Sequence, residues 1–311
     1  MALFEHFIVT RFNLPLFKAK VDGKVVGNLD ETWLAGRFDL FERYCLPSVK
    51  GQTCQDFRWI VLFDAATPQK FKDRFKSYCD GYDRLIPCYI DCSFIPDSDE
   101  EFLRLCEDYD IVVDKAYPGR PLDCDAEGEK PLRRIVPPIV KQLIDSYLNE
   151  SPQWILTTRL DSDDSLHKDF IATVRRRFMD APAHKVIDLV NNYKYIEEEG
   201  VAFPYPLVNG HYITLAEPYE GIFQSVLFWN HLFVGLFLPV EHVYDRPLQI
   251  EVIHGGNVVN DFSHHTVAGL IKGLFGFKPR DFGLKGLKVN RSRIAIMLLS
   301  LLKKDIKKRF S

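Results

Sequence analysis

The sequence has no Gly-rich phosphate loop near its first strand, no CxxC pair and no internal repeat. It also lacks a clean apolar run of the about 20 residues that a membrane-spanning helix needs. The missing loop argues against a nucleotidyltransferase of doubly wound fold. The missing CxxC pair removes a zinc ribbon. The longest apolar stretch, Ile222 to Val240, is broken by Gln224, Ser225, Asn230 and His231 and reads as buried core. The opening residues, MALFEHFIVTRFNLP, show no basic segment followed by an apolar one, so no secretory leader is expected. Seven cysteines, an odd number, lie between Cys45 and Cys124. Reduced thiols in a cytoplasmic protein are the expectation.

What is present is ordinary globular composition, with 46 % hydrophobic and 27 % charged residues, which excludes disordered and collagen-like classes. The formal charge of −3 over 311 residues disfavours a nucleic-acid partner. The charge is uneven: Lys278 to Ser311 holds eleven Lys and Arg against Asp281 and Asp305. A basic tail on a mildly acidic body suggests an anionic partner for the tail.

Strand and helix signals alternate through the first half. Strands are expected at Phe4–Thr10, Phe57–Phe63, Leu85–Tyr89 and Trp154–Arg159, and helices at Leu34–Val49, Gln69–Tyr78, Glu100–Asp108 and Leu132–Asn149. Asp110 to Glu129 reads as a loop. The second half is less regular, with strands at Lys185–Asn191 and Ile250–His254, a hairpin within Asn192–Tyr212, and Ile222–Phe237 undecided between helix and strand. The alternation predicts an α/β fold with a mostly parallel sheet and helices on both faces. Ligands of such sheets bind beyond the carboxyl ends of the strands. Thr10-Arg11, Asp64 and Asp161-Ser162-Asp163-Asp164 all sit at expected strand ends.

Asp161 and Asp163 offer two hard oxygen ligands at one strand end, a pattern that suits Mg²⁺ or Mn²⁺ bridging to a diphosphate. The bland alternative is an acidic turn capping a helix that starts near Leu166, since Asp164 and Ser165 are good N-caps. His254, beside two glycines, either joins the site or bonds to backbone. His264-His265 reads as a surface pair. The aromatic stretch of Tyr193, Tyr195, Phe203, Tyr205, His211 and Tyr212 reads as core packing, with a sugar-stacking acceptor site as the alternative.

Ser48-Val49-Lys50-Gly51-Gln52-Thr53, then Phe57, Trp59-Ile60-Val61 and Asp64, resembles the opening of inverting family 2 glycosyltransferases. Leu160-Asp161-Ser162-Asp163-Asp164 resembles their metal-binding DxD signature. More narrowly, Thr10-Arg11-Phe12-Asn13, Arg37-Phe38, Tyr44 to Val49, Thr157 to Asp164, His254-Gly255 and Asn257 to Asn260 resemble the bacterial rhamnosyltransferase family, over residues 4 to 262. The resemblance implies a GT-A-like fold over 1–262, with a nucleotide-sugar-binding half (1–165) and an acceptor-binding half (166–262). It implies a dTDP-, UDP- or GDP-sugar donor, a divalent metal ion and a glycan or lipid-linked acceptor. Thr10, Arg11, Asp64 and Asp161 would contact the nucleotide sugar, and Asp161, Asp163 and His254 would hold the metal. Arg159, or Arg133 or Arg134, would offset the leaving diphosphate's charge. An inverting transfer needs a carboxylate base. Glu217, Glu220, Glu241 and Asp245 are open to that role, with Glu220 ranked first for its aromatic, turn-like setting.

Residues 263–311 form a basic extension. Within it Ile294, Met297, Leu298, Leu301, Leu302 and Ile306 recur at helical spacing between basic flanks. Such a helix either lies on an anionic membrane surface, at the inner face of the cell membrane, or docks on the body or on a partner. The rival to a metal-dependent transferase is a non-catalytic glycan- or membrane-binding module with a degenerate site.

Overall fold

The computed structural model describes residues 3–14, 19–21, 24–26, 30–92, 130–220, 223–228, 231–232, 234–255, 267–287 and 289–309. The expected helix at Glu100–Asp108, the loop after it, Asn257–Asn260 and His264-His265 lie outside these residues.

The chain opens with β1 (Phe4–Arg11) and a small hairpin, β2 (Ala19–Val21) and β3 (Lys24–Val26). Next come α1 (Glu31–Leu40), a π-helical turn (Phe41–Cys45) and α2 (Leu46–Lys50), which form one continuous helical run. Then follow β4 (Arg58–Asp64), α3 (Gln69–Cys79), β5 (Leu85–Ile90), α4 (Lys130–Ser146), β6 (Trp154–Arg159), β7 (Ser165–Leu166), α5 (Phe170–Asp180), β8 (Lys185–Leu189), β9 (Tyr193–Ile196) and β10 (Val201–Pro204). β11 (Thr214–Pro218), β12 (Val240–Val243), β13 (Gln249–Ile253), α6 (Val267–Gly276) and α7 (Arg291–Arg309) complete it.

Seven strands form the main sheet in the order β12-β8-β11-β6-β1-β4-β5. β6, β1, β4 and β5 are parallel neighbours, β8 and β12 pair parallel, and β11 runs against both β6 and β8. This is the α/β arrangement expected. The central strands are apolar on both faces because helices cover both. On one side Ile8, Trp59, Val61 and Phe63 meet Phe38 and Phe41 of the α1 run, Phe71 and Phe75 of α3, and Phe170 and Phe178 of α5. On the other, Phe7, Val9, Ile60 and Leu62 meet Val136, Val140 and Ile144 of α4.

A second sheet, β10-β9-β13-β7, holds the expected hairpin as β9 and β10. The undecided stretch after Ile222 is neither a long helix nor a strand among its described residues. It carries only a 3-10 turn at Val234–Leu236 and packs Phe223, Val226, Leu227 and Val234 under the main sheet. No helix helps to cap the acidic turn: Ser165 and Leu166 are strand residues paired with β13, and the next helix begins at Phe170.

The segment after residue 263 is built into the fold. Phe277, Phe282 and Leu284 share a buried cluster with Tyr44, Tyr193 and Val252. Leu270 of α6 and Ile294 of α7 share another with Val201 and Phe203. Glycine lets α6 sit this close: a Cβ on Gly273 would lie 1.9 Å from the Ala202 carbonyl oxygen. Gly273→Ala must therefore push α6 off β10. Overpacking of this kind costs about 1–3 kcal/mol. Thermal unfolding should show a lowered Tm for Gly273→Ala, whereas Gly36→Ala, with open space at its Cβ, should not lower it.

Candidate active site

The signature around Ser48 is a frame. Ser48 Oγ donates to the Cys45 carbonyl oxygen (2.7 Å) and accepts from the Leu166 N–H (3.1 Å). Gln52 Nε2 donates to the carbonyls of Ser48 and His167, while its Oε1 accepts from the Ile171 N–H. Thr53 Oγ1 contacts the Lys168 carbonyl and Asp169. These bonds tie the end of α2 to the segment that follows Asp164. The π-turn, a feature frequent at functional sites, brings Cys45 Sγ to 3.7 Å from the Asp161 carbonyl oxygen.

The turn Asp161–Asp164 leaves the carboxyl end of β6; Ser162, Asp163 and Asp164 are buried and Asp161 is partly exposed. Asp163 Oδ2 forms an ion pair with Arg37 of α1 and lies 2.9 Å from His254 Nε2, just after β13. Asp161 faces Arg159 (Nη2–Oδ2 3.3 Å) and Arg11 (Nη2–Oδ1 3.9 Å). Asp164 Oδ1 accepts the Val252 N–H of β13 at 2.9 Å.

These surroundings split the three aspartates. Against the cost of burial, Arg159 and Arg11 hold Asp161 well below the ordinary carboxylate range. Arg37 and His254 likewise lower Asp163. Among the described residues no cation forms an ion pair with Asp164. Burial, with Asp163 and Asp161 alongside, pushes it well above the ordinary value. Three guanidiniums, from Arg11, Arg37 and Arg159, thus line this turn, and their planar donors suit the oxygens of a diphosphate.

Two histidines complete this edge. Arg159 Nη1 lies 3.1 Å from His231 Nδ1, and an arginine only donates, so His231 Nδ1 accepts and its hydrogen sits on Nε2. The rings of His211 and His231 are 4.6 Å apart. Burial lowers both imidazoles, and Arg159 lowers His231 further, so both are neutral. The sequence places His211 only in the aromatic stretch and His231 only as a break in the apolar one. No spacing marks them: each meets Arg159 or Asp161 only through the fold.

The other expected site residues divide. The structure brings Arg11 and Arg159 to Asp161, and His254 to Asp163. Asp64 lies on the same sheet edge, two strands from β6, where its Oδ1 accepts the Ala66 N–H (2.8 Å) and closes the turn after β4. Thr10 is fully buried and its hydroxyl accepts from Trp59 Nε1 at 2.9 Å, so it serves the sheet interior. The side chains of Arg133 and Arg134 lie outside the described residues.

Glu220 is at the wrong end of the sheet. β11 runs against β6, so Pro218 pairs with Trp154, and the Tyr219 N–H bonds to the Gln153 carbonyl. Glu220 follows there, at the amino edge of β6, whereas Asp161 follows its carboxyl edge. The six residues of β6 span about 20 Å. Glu217 is a loop clamp: its two oxygens accept the N–H groups of Gln224 (2.7 Å) and Ser225 (2.9 Å). Glu241 pairs with Lys185 at 2.6 Å, and Asp245 is an exposed residue by the edge strand β12. One further acid faces the cluster. Glu251 of β13 stands opposite Lys194 of β9 (Nζ–Oε2 3.7 Å), and its Oε2 is buried. Burial raises its carboxyl, opposed by Lys194 and reinforced by Asp161 and Asp163.

The divalent ion expected at Asp161, Asp163 and His254 does not match this donor arrangement. Asp163 Oδ2 is taken by Arg37 and His254, and Asp161 turns to Arg159 and Arg11. Among the described residues no three His, Cys, Asp or Glu side chains converge as metal ligands.

Residues 5–95 match the family described as "Putative rhamnosyl transferase". The match takes in β1, α1, β4 and β5, with Arg11, Arg37 and Asp64, and ends before the Asp161–Asp164 turn. No curated protein matches the chain. Among solved structures, S. aureus TarS 1-349 in complex with UDP-GlcNAc aligns with 96 % of this chain and 71 % of that one, at 8 % identity and a TM-score of 0.40. A further S. aureus TarS 1-349 structure aligns over 80 % of this chain at 11 % identity and a TM-score of 0.36, and this chain spans 60 % of its length. A "putative nucleotide-diphospho-sugar transferase" from Desulfovibrio desulfuricans G20 aligns over 80 % of this chain and 82 % of that one, at 11 % identity and a TM-score of 0.33. Likenesses of this size carry no weight in assigning the function.

Two variants test the electrostatics. Arg37→Ala strands Asp163 without its guanidinium, and breaking such a buried pair costs about 3–5 kcal/mol. Urea unfolding at pH 7 should show a loss of that order, and Arg37→Ala/Asp163→Asn should recover part of it. Glu217, whose carboxyl burial pushes up to about 8 from 4.5, binds more protons folded than unfolded. Its contribution is full below about pH 4.5 and fades as pH rises toward 8. Glu217→Gln should flatten the stability decline across that window; an unchanged slope would remove Glu217 as its source.

Proposed function

We propose that the chain is a glycosyltransferase that moves a hexose, with rhamnose the first candidate, from a nucleoside-diphosphate donor to a hydroxyl of a glycan or lipid-linked acceptor. The observation that carries the reading is the arginine-lined acidic turn at the carboxyl edge of the parallel sheet. The family match supports it, because two of the three arginines, Arg11 and Arg37, lie within residues 5–95.

In this reading Arg11, Arg37 and Arg159 take up the charge that grows on the departing diphosphate, and burial strengthens each contact. Transfer proceeds by one displacement with inversion. The acceptor hydroxyl gives its proton to Glu251, and its oxygen bonds to the anomeric carbon. The bond from that carbon to the diphosphate oxygen breaks, and the electron pair leaves with the nucleotide. Glu251 suits the task because burial raises its proton affinity. This reading replaces Glu220, which is a sheet's length away, and requires no metal ion in the arginine-held arrangement.

Calorimetric titration with UDP, GDP and dTDP should find one nucleotide that binds wild type and loses affinity in Arg159→Ala. No binding to any of the three by folded protein would favour the non-catalytic glycan- or membrane-binding alternative. With the matching donor, Glu251→Gln should lower kcat by about 10²–10⁴-fold at unchanged nucleotide affinity, and Glu220→Gln should leave kcat intact. Turnover should survive EDTA. Its loss, with recovery on Mn²⁺, would mean that Asp161 and Asp163 release their arginines to a metal ion.

A further inference from the structure

The helices at the end of the chain carry more apolar surface than their packing uses. α6 rests on β10 through Gly273 and Leu270, while α7 rests on the same hairpin through Ile294, with Leu274, Met297 and Leu298 closing the contact between them. The Asn290 N–H bonds to the Gly200 carbonyl, Asn290 Oδ1 accepts the Arg293 N–H, and Arg293 pairs with Glu199. These contacts fix which side of each helix faces inward. Two residues along a helix turn it by about 200°. Ile271 and Phe275 therefore point away from the hairpin on either side of Gly273, and Ile296 does so relative to Ile294. Exposure agrees: Phe275 is 78 % exposed, Leu299 59 %, Ile296 56 % and Ile271 43 %.

Charge decides what fits against this face. From Val267 to Arg309 the sequence has twelve Lys and Arg and only Asp281 and Asp305 as acids. Lys272, Lys278, Arg280, Lys285 and Arg291 are exposed. A second copy presenting the same face would bring the same positive charge and be repelled. A bilayer with anionic headgroups offers the opposite charge and an apolar layer beneath it. No described helix is long and apolar enough to cross a membrane, so such contact would be at the surface.

We infer that α6 and α7 together form a docking face for an anionic lipid bilayer, with Ile271, Phe275, Ile296 and Leu299 entering the interface and the surrounding Lys and Arg meeting the headgroups. The assignment is independent of the transfer chemistry and extends the expected single-helix contact to a preformed two-helix face.

The test is sedimentation of the full chain with phosphatidylcholine vesicles, with and without about one-third phosphatidylglycerol. The expected result is binding to the anionic vesicles only, weakened several-fold between 0.05 and about 0.5 M salt as screening shortens the reach of the charges. Phe275→Glu/Leu299→Glu should reduce binding at least tenfold. Met179→Glu, on an exposed site of α5, should not. Circular dichroism would show that the variants remain folded. Absence of binding to anionic vesicles at low salt, or equal binding by the double variant, overturns the inference. So does a dimer that the double variant abolishes in the absence of vesicle binding, which would assign the face to a second copy.

Discussion

Burial of the Asp163 carboxylate is the constraint on which the site depends. A buried carboxylate needs a cation and hydrogen bonds, or it must take a proton. Here the cation comes from Arg37 on α1 and the other contact from His254 at the end of β13. One side chain thus joins the first helix of the chain, the turn after β6 and the last strand. Asp164 repeats the link through the Val252 N–H. The two sheets are held together at the very edge where a parallel sheet exposes its ligand crevice.

The same burial divides the labour among neighbouring acids. Arg159 and Arg11 lower the proton affinity of Asp161, and Arg37 lowers that of Asp163, whereas burial and these two neighbouring acids raise that of Asp164. His211 and His231 contribute by being neutral, since an imidazolium beside Arg159 would compete with it for Asp161.

Much of the sheet was legible in the sequence because its strands are continuous apolar runs, and Trp154–Arg159 matches β6 residue for residue. The Asp161–Asp163 pair was legible for the same reason, as polar residues at an apolar strand's end. Elements defined by long-range pairing were not. Ser165-Leu166 looked like a helix start because local capping chemistry favours one, yet β13 claims both residues as strand partners. Glu220 looked suited to sugar chemistry from its neighbours alone, but the antiparallel direction of β11 carries it to the far edge. Arg37 stood in a quoted motif with no role attached, because nothing in its local sequence points across 126 positions to Asp163. The tail's helix was visible from its periodicity, whereas its integration through Phe277, Phe282 and Ile294 required the partner surfaces.

The signature residues Ser48 and Gln52 then acquire a physical meaning different from ligand contact. Their side chains bond to the backbone of β7 and of the segment after it, so the α1 run and the chain leaving the acidic turn are held in register. That register decides whether Arg37 reaches Asp163. Arginine is suited to this place because its planar fork carries five N–H donors, and a carboxylate on one edge leaves others for an incoming phosphate oxygen. A lysine could neutralise Asp163 but would offer a compact ammonium in place of two ordered edges. The frame, the buried acid and the choice of guanidinium are thus successive conditions on one feature: a cation that holds the site together while retaining donors for its ligand.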